Sequence, residues 1–284
     1  MYKKSAILSV LLATTFLTPN VSASTPLKSD GAISYTSATQ SDYDFMITST
    51  DSNGDLVKEY YKIALDASKL GTAYSLSDTE PTDGTFSAVV LPDGTTKYVV
   101  YSGTPTNTRL TEATGDITGD FAGLNTVATA TKVKGGAINN LNSINSITGD
   151  FINNSITGGY SHTQAGAIYN DGTIGNVDTD DEGNETLSGG ITGDFIGNNV
   201  VGGQYAYGGA VTNYDNGTIS TLSGNFISNS VTQTKSSNIS GGAIHNSGVI
   251  KNIIGDFINN SITSGNDDYV GAYAREVLFI IVVI

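Results

Sequence analysis

Four aspartates recur at matched places in this chain, and repeated carboxylates are the first residues to question for chemistry. Asp120, Asp150, Asp194 and Asp256 each stand immediately before a phenylalanine, and Asn225 takes the fourth of the five places. Glycoside hydrolysis needs two carboxyl groups several ångströms apart, one with a raised pKa. A stack of carboxylates could also hold cations. Their regular spacing argues for a plainer role, since a catalytic residue is singular while a polar residue on the solvated side of a strand recurs with the strand. A second acidic group, Asp178-x-Asp180-x-Glu182-Gly183, partly matches a calcium loop and makes Asp178, Asp180 and Glu182 the candidate metal ligands. Its twelfth position is Gly189 where such a loop carries Glu. His162 is assigned to a loop and His245 to a variable outward position. With no cysteine and no histidine pair at ligand spacing, they give zinc little support. The glycines precede strands and not helices, so no phosphate loop and no cofactor is indicated. Tyr160, Tyr205 and Tyr207 are the candidate contacts for a sugar or a protein.

The elements that must position these residues come from a repeat. One half reads small-Gly-Ala-Ile/Val-x-Asn at Gly135–Asn140, Ala165–Asn170, Gly208–Asn213 and Gly241–Asn246, with a decayed copy at Val270–Arg275. The other half reads Ile/Leu-x-Gly-Asp/Asn-Phe at Ile117–Phe121, Ile147–Phe151, Ile191–Phe195, Leu222–Phe226 and Ile253–Phe257. Successive phenylalanines lie 30, 44, 31 and 31 residues apart. A self-similar period of this size marks a solenoid, whose units bury their apolar faces by stacking. In Ile147–Phe151 alternate residues are apolar and polar, which predicts a half-buried strand with Ile147, Gly149 and Phe151 on one side. The Gly-Gly-Ala half predicts a second short strand whose glycines allow a tight corner.

Phe and the Asn three residues on cannot share one face of a straight strand, so a corner is expected between them. Stacked as parallel coils about 4.8 Å apart, the repeats align two ladders: Phe151, Phe195, Phe226 and Phe257, and Asn154, Asn198, Asn229 and Asn260. Stacked asparagines hydrogen-bond their amides along the axis. The spacing leaves open whether a repeat makes one turn or more. The 44-residue interval is explained by an insertion at Asp178–Ser188, read as an acidic loop thrown out from one corner.

In chain order, residues 1–23 have the three parts of a secretory signal: Lys3 and Lys4, the apolar run Ser5–Leu17, and the cleavage site Val21-Ser22-Ala23. Residues 24–112 lack the repeat and predict a small β-rich cap that covers the first turn, because end turns expose strand edges. Residues 113–275 are the repeat body. The apolar tail 276–284 breaks a Gly-Ala motif and reads as a truncation artefact. It is too short for a transmembrane helix, and none is expected in the mature chain. The net charge of −14 becomes −16 once the signal and its two lysines are gone. That balance disfavours nucleic acid and anionic lipid, which need a basic patch.

The alternation of Gly135–Ile138, Gly208–Val211 and Gly241–Ile244 with Phe151–Asn154, Phe195–Asn198, Phe226–Asn229 and Phe257–Asn260 resembles the passenger repeats of polymorphic outer membrane proteins and related type V autotransporter adhesins. Ala165–Ile168 keeps the motif with Ala for the first Gly, and Phe121 lacks the Asn. The resemblance covers roughly residues 115–275. It implies an all-β chain built as a right-handed parallel β-helix, a solenoid of ~30-residue repeats. It further implies export to a Gram-negative cell surface, and binding of a protein or glycan on a host or neighbouring cell. Family members end in a barrel of tilted strands of about ten residues each, and that outer-membrane barrel is missing from this chain. An adhesin or structural stalk without catalysis is the favoured expectation, with periplasmic or secreted fate for the fragment and surface display for an intact parent. A polysaccharide lyase or glycosidase, and a non-functional truncated product, are the alternatives.

Overall fold

The computed structural model describes residues 33–264, apart from 44, 52, 67–72, 92–93, 107, 129–131, 159–160 and 235–237, together with Ala274–Arg275. The signal segment and the whole apolar tail 276–284 lie outside them. Among the described residues the chain is all-β, a parallel solenoid of about 5 turns. Each repeat makes one turn. Lys132–Lys134, Ile138–Asn140, Ser143–Thr148, Phe151–Ile152 and Ser155–Gly158 follow one another around the coil, and His162–Gln164 then pairs in parallel with Lys132–Lys134. The five stacks of equivalent strands are here called sheets I to V in that order.

Sheets II, III and IV enclose the main core. Ile138, Ile144, Ile147 and Phe151 point into it from one turn, and Ile168, Ile174, Ile191 and Phe195 from the next. Sheets V and I fold back on each other as a second, thinner lobe around Val133, Ile156, Val200, Ala206, Val231 and Ile239. The Gly-Gly-Ala segments form the waist between the lobes. A Cβ on Gly166 would lie 2.7 Å from Asn199 N, and one on Gly209 2.7 Å from Ser230 N. The second glycine of the motif is therefore demanded by backbone passing against backbone.

The expected single strand Ile147–Phe151 is not one. It breaks at Gly149, whose φ of 147 turns the chain from sheet III into sheet IV. A Cβ there would strike the Gly119 carbonyl one turn away. A coil cannot close around a core without corners, and glycine makes this one. The corner expected between Phe and Asn is present, with Asn153, Ser228 and Asn259 in the left-handed region at φ 49, 53 and 52.

Both ladders form. Phenylalanine centroids are 5.2, 4.9, 4.7 and 4.7 Å apart along the stack from Phe121 to Phe257, with rings within 6° of parallel. Asn154 donates to Asn198, Asn198 to Asn229 and Asn229 to Asn260 at 3.0, 2.9 and 2.9 Å. Each amide also donates to a Phe carbonyl, as Asn198 does to Phe151 O at 2.8 Å. A second ladder in sheet II links Asn140, Asn170, Asn213 and Asn246. Amides buried at 0 % exposure, as Asn154, Asn198 and Asn229 are, hold their place because each has partners on both sides.

Residues 33–101 make two antiparallel three-stranded sheets, Ile33–Ser37 with Leu56–Leu65 and Phe45–Thr50, then Tyr74–Ser77 with Thr96–Tyr101 and Thr85–Val90. The expected cap over the first turn takes a different form. The second sheet lies along the side of the solenoid, packing Tyr74, Val89, Val99 and Tyr101 on Ala122, Ile152, Ile196 and Ile227. Those four residues follow a Phe and face outward from sheet IV, so an apolar stripe running along four turns is what the sheet covers. The first turn is closed by a short segment instead. Leu110 bridges Ile138 in parallel, and Arg109 donates to the carbonyls of Lys134 and Gly135.

Candidate functional site

The recurring aspartates sit at the corner between sheets III and IV, half-buried and structurally engaged. Asp120 accepts Asp150 N–H at 3.0 Å, Asp150 accepts Asp194 N–H at 2.7 Å, and Asp194 accepts Asn225 N–H at 2.8 Å. Tyr74 donates to Asp150 at 2.6 Å and Tyr101 to Asp120 at 2.7 Å, fastening the side sheet to the ladder. The expected outward, solvated stripe is thus corrected for these residues: the corner turns them under the second sheet. Burial raises the Asp150 carboxyl, and burial with the neighbouring Asp150 and Asp256 charges pushes Asp194 up to about 6 against its bonds from Asn225. Tyr74 and Tyr101 are raised by burial and by the carboxylates they bond.

The insertion is a β-hairpin, Asn176–Thr179 against Glu185–Ser188. It interrupts sheet III in mid-strand and does not leave from a corner, for Thr173–Ile174 before it and Gly190–Thr192 after it both pair with Ser143–Thr148. Asp180 accepts N–H and side-chain bonds from Asn184 at 2.7 and 2.9 Å, which hold its carboxyl below the usual range. Its oxygens thus close the hairpin turn, while Asp178 and Glu182 stand exposed on the same hairpin. Among the described residues no three His, Cys, Asp or Glu side chains are grouped to hold a metal ion. Lys251 ties the hairpin down through Glu185 at 2.6 Å.

Sheet I carries the remaining candidates. Its strands alternate, with Val133, Thr163 and Ala206 against the seam and Lys132, Lys134, His162, Gln164, Tyr205 and Tyr207 on the outer face. Tyr205 and Tyr207 are placed there, half-buried; Tyr160 lies outside the described residues. His162 is on a strand and not in a loop, in register with Tyr205, and their rings stack at 4.5 Å and 14°. Tyr207 stacks on His245 of sheet II at 4.5 Å and 14°, across the concave notch left by the waist. Ser161 Oγ and Ser240 Oγ lie 2.8 and 2.7 Å from Nδ1 of His162 and His245. Burial lowers the proton affinity of both histidines, and for His162 the charges of Lys132 and Lys134 lower it further.

Further along the notch Lys134 donates to Tyr169 OH at 2.7 Å and lies 4.2 Å from its ring centroid, with Tyr214 and Asp171 beside it. Tyr169 occupies the variable position expected to face solvent, yet it is fully buried, because sheets I and II meet at an angle and their outer residues cover each other. Sequence reasoning missed this notch and the partnership of the histidines with the tyrosines. The available signal was the five-residue interval across each Gly-Gly-Ala, as in Tyr207 to Thr212 and Ser240 to His245. No family model, no curated protein and no solved structure matches this chain.

Proposed function

We propose that the chain is the β-helical passenger portion of an exported autotransporter, displayed at a Gram-negative surface as an adhesin or structural stalk without catalysis. The observation that carries this reading is the separation of residue types. The interior and its corners are filled by residues that repeat every turn, while His162, Tyr205 and Tyr207 are singular and stand on an outer face. Singular aromatic residues on a rigid sheet are what surface recognition uses, since they supply contact area at little entropic cost. The parallel coil supports a stalk, because length is gained by adding turns. The signal-like segment 1–23 supports export.

Beads coated with residues 24–284 are expected to adhere to a subset of animal or bacterial cell types. Adhesion no greater than that of beads coated with an unrelated acidic protein would sink the adhesin reading. A polysaccharide lyase or glycosidase is the second reading, favoured by the non-periodic group Lys134, Tyr169 and Asp171. Burial raises the Tyr169 phenol, as do Asp171 and Tyr214, which disfavours it as a base. Release of unsaturated products or new reducing ends from acidic polysaccharides would restore that reading.

A further inference from the structure

The outer face of sheet I differs in charge from the rest of the molecule. Between residues 113 and 264 the basic residues are Lys132, Lys134, Lys235 and Lys251, against twelve acids. Two of the four are on this face, and among the described residues its five strands, Lys132–Lys134, His162–Gln164, Tyr205–Tyr207, Ile239–Ser240 and Ala274–Arg275, hold no Asp or Glu. Asp171 and Asp215, beyond sheet II, are the carboxylates that act on Lys134 and His245. Lys132 is exposed and Lys134 half-buried.

On this face His162 stacks on Tyr205 of the next turn, and Tyr207 stacks across the notch on His245 of sheet II. One π face of each ring is therefore covered, and the ring edges are turned sideways. Ring edges carry the positive end of the aromatic quadrupole, and phenol and imidazole add N–H and O–H donors there. With Lys132 and Lys134 alongside, the face presents donors and positive charge, and its strands carry no carboxylate. One donor lies beneath it without an acceptor. Gln164, in register between Lys134 and Tyr207, is 2 % exposed, and its Nε2 has no hydrogen-bond partner among the described residues.

We propose that this face binds an acidic glycan, a chain of hydroxyl-rich sugars bearing carboxylates, laid along the axis over His162, Tyr205 and Tyr207 with a carboxylate at Lys132 and Lys134. This rests on the adhesin reading and names its ligand class. The hydroxyls and carboxylate of a uronic acid match a row of donors flanked by two cations. The net charge of −14 opposes every polyanion, and it opposes a duplex nucleic acid, with one charge per about 1.7 Å, or an anionic membrane surface more than a single uronate chain.

The test is binding of residues 24–284 to polygalacturonate, followed calorimetrically, with dextran and phosphatidylglycerol vesicles as separate probes. Polygalacturonate is expected to bind and to weaken with added salt. Tyr205→Ser and Lys132→Gln should each lower affinity by about tenfold, the loss on removing an interface anchor worth more than ~1 kcal/mol. Circular dichroism of each variant should match the parent. Lys251→Gln, which removes a charge from another sheet, should bind as the parent does. No binding of polygalacturonate, equal affinity in all variants, an equal loss in Lys251→Gln, or binding to vesicles alone would each overturn the proposal. If coated beads still adhere to cells while polygalacturonate is not bound, the ligand class falls and the adhesin reading stands; if neither occurs, both fall.

Discussion

The corner between sheets III and IV and the outer face of sheet I are both rich in residues that could do chemistry, and the solenoid treats them in opposite ways. At the corner Asp120, Asp150 and Asp194 repeat with the coil, and each carboxylate accepts the N–H of its neighbour on the adjacent turn. On sheet I no residue repeats: the register sets Lys132 against His162 and His162 against Tyr205. Repetition along a solenoid means that a side chain's partner is its own copy one turn away, so its hydrogen bonds are consumed in holding the stack. A singular residue has no such copy and finds its partners elsewhere, as His162 does in Ser161 and Tyr205, and Lys134 in Tyr169. On the proposed reading, the difference separates architecture from recognition without any appeal to residue type.

The largest effects should come from breaking a ladder inside. Asn198→Ala removes the acceptor of Asn154 N–H and the donors to Phe151 O and Asn229. Each buried group left unsatisfied costs about 1–3 kcal/mol. The loss should equal or exceed that of Phe195→Ala, about 3–5 kcal/mol for a buried phenylalanine. Chemical denaturation of both variants checks this. If Asn198→Ala were as mild as a surface substitution, the amide ladder would be decoration on a hydrophobic coil.

A smaller loss is expected where the side sheet meets the corner. Tyr74→Phe takes the donor from Asp150, a hydrogen bond to a charged group worth about 1.5–3 kcal/mol. Hydrogen exchange should rise first in Tyr74–Ser77 and Thr96–Tyr101, with sheets II and V unchanged. Uniform loss of protection would mean that the side sheet and the coil unfold as one unit.

Asp194→Asn should go the other way. The folded carboxyl titrates at about 6 against 3.8 unfolded, so between those values the folded chain holds more protons. This group's contribution is therefore complete below pH 3.8, falls as pH rises toward 6, and stays low above it. Replacing it with Asn, as Asn225 already does one turn on, should gain about 1–3 kcal/mol at pH 7. The gain should vanish near pH 3.5. Denaturation of parent and variant at both pH values reads the difference, and a gain that did not depend on pH would place its origin elsewhere. The smallest effect belongs to the outer face. Tyr205→Ser should change stability by no more than about 0.5 kcal/mol, since its ring stacks on His162 outside the seam. A loss above ~2 kcal/mol, the range of core residues, would make sheet I part of the scaffold and erase the contrast.

The solenoid itself was legible because its period is written directly into the chain. Phe151, Asn154 and Gly135 recur in step, and residues that recur at one turn's spacing must meet their copies. Even the covering of sheet IV had a signal that the alternation rule passed over. Phe151-Ile152, Phe195-Ile196, Phe226-Ile227 and Phe257-Ile258 place two apolar residues side by side, which on a strand demands burial of both faces. The hairpin of the insertion was visible as an interruption of the period, though not as two strands.

By itself, then, the sequence determined the coil, its two named ladders and the place of the insertion, because these depend on neighbours one repeat away. Tertiary structure alone decided the angle between consecutive sheets. That angle turned Asp150 and Asp194 under the side sheet and raised their pKa values. It also buried Tyr169 in a notch and brought Tyr207 to His245. Side-chain alternation says which way a residue leaves its strand, but what it meets depends on where the corners point the next strand. Those corners rest on Gly149 and the Gly-Gly-Ala waist, where the backbone of one strand passes within contact of another.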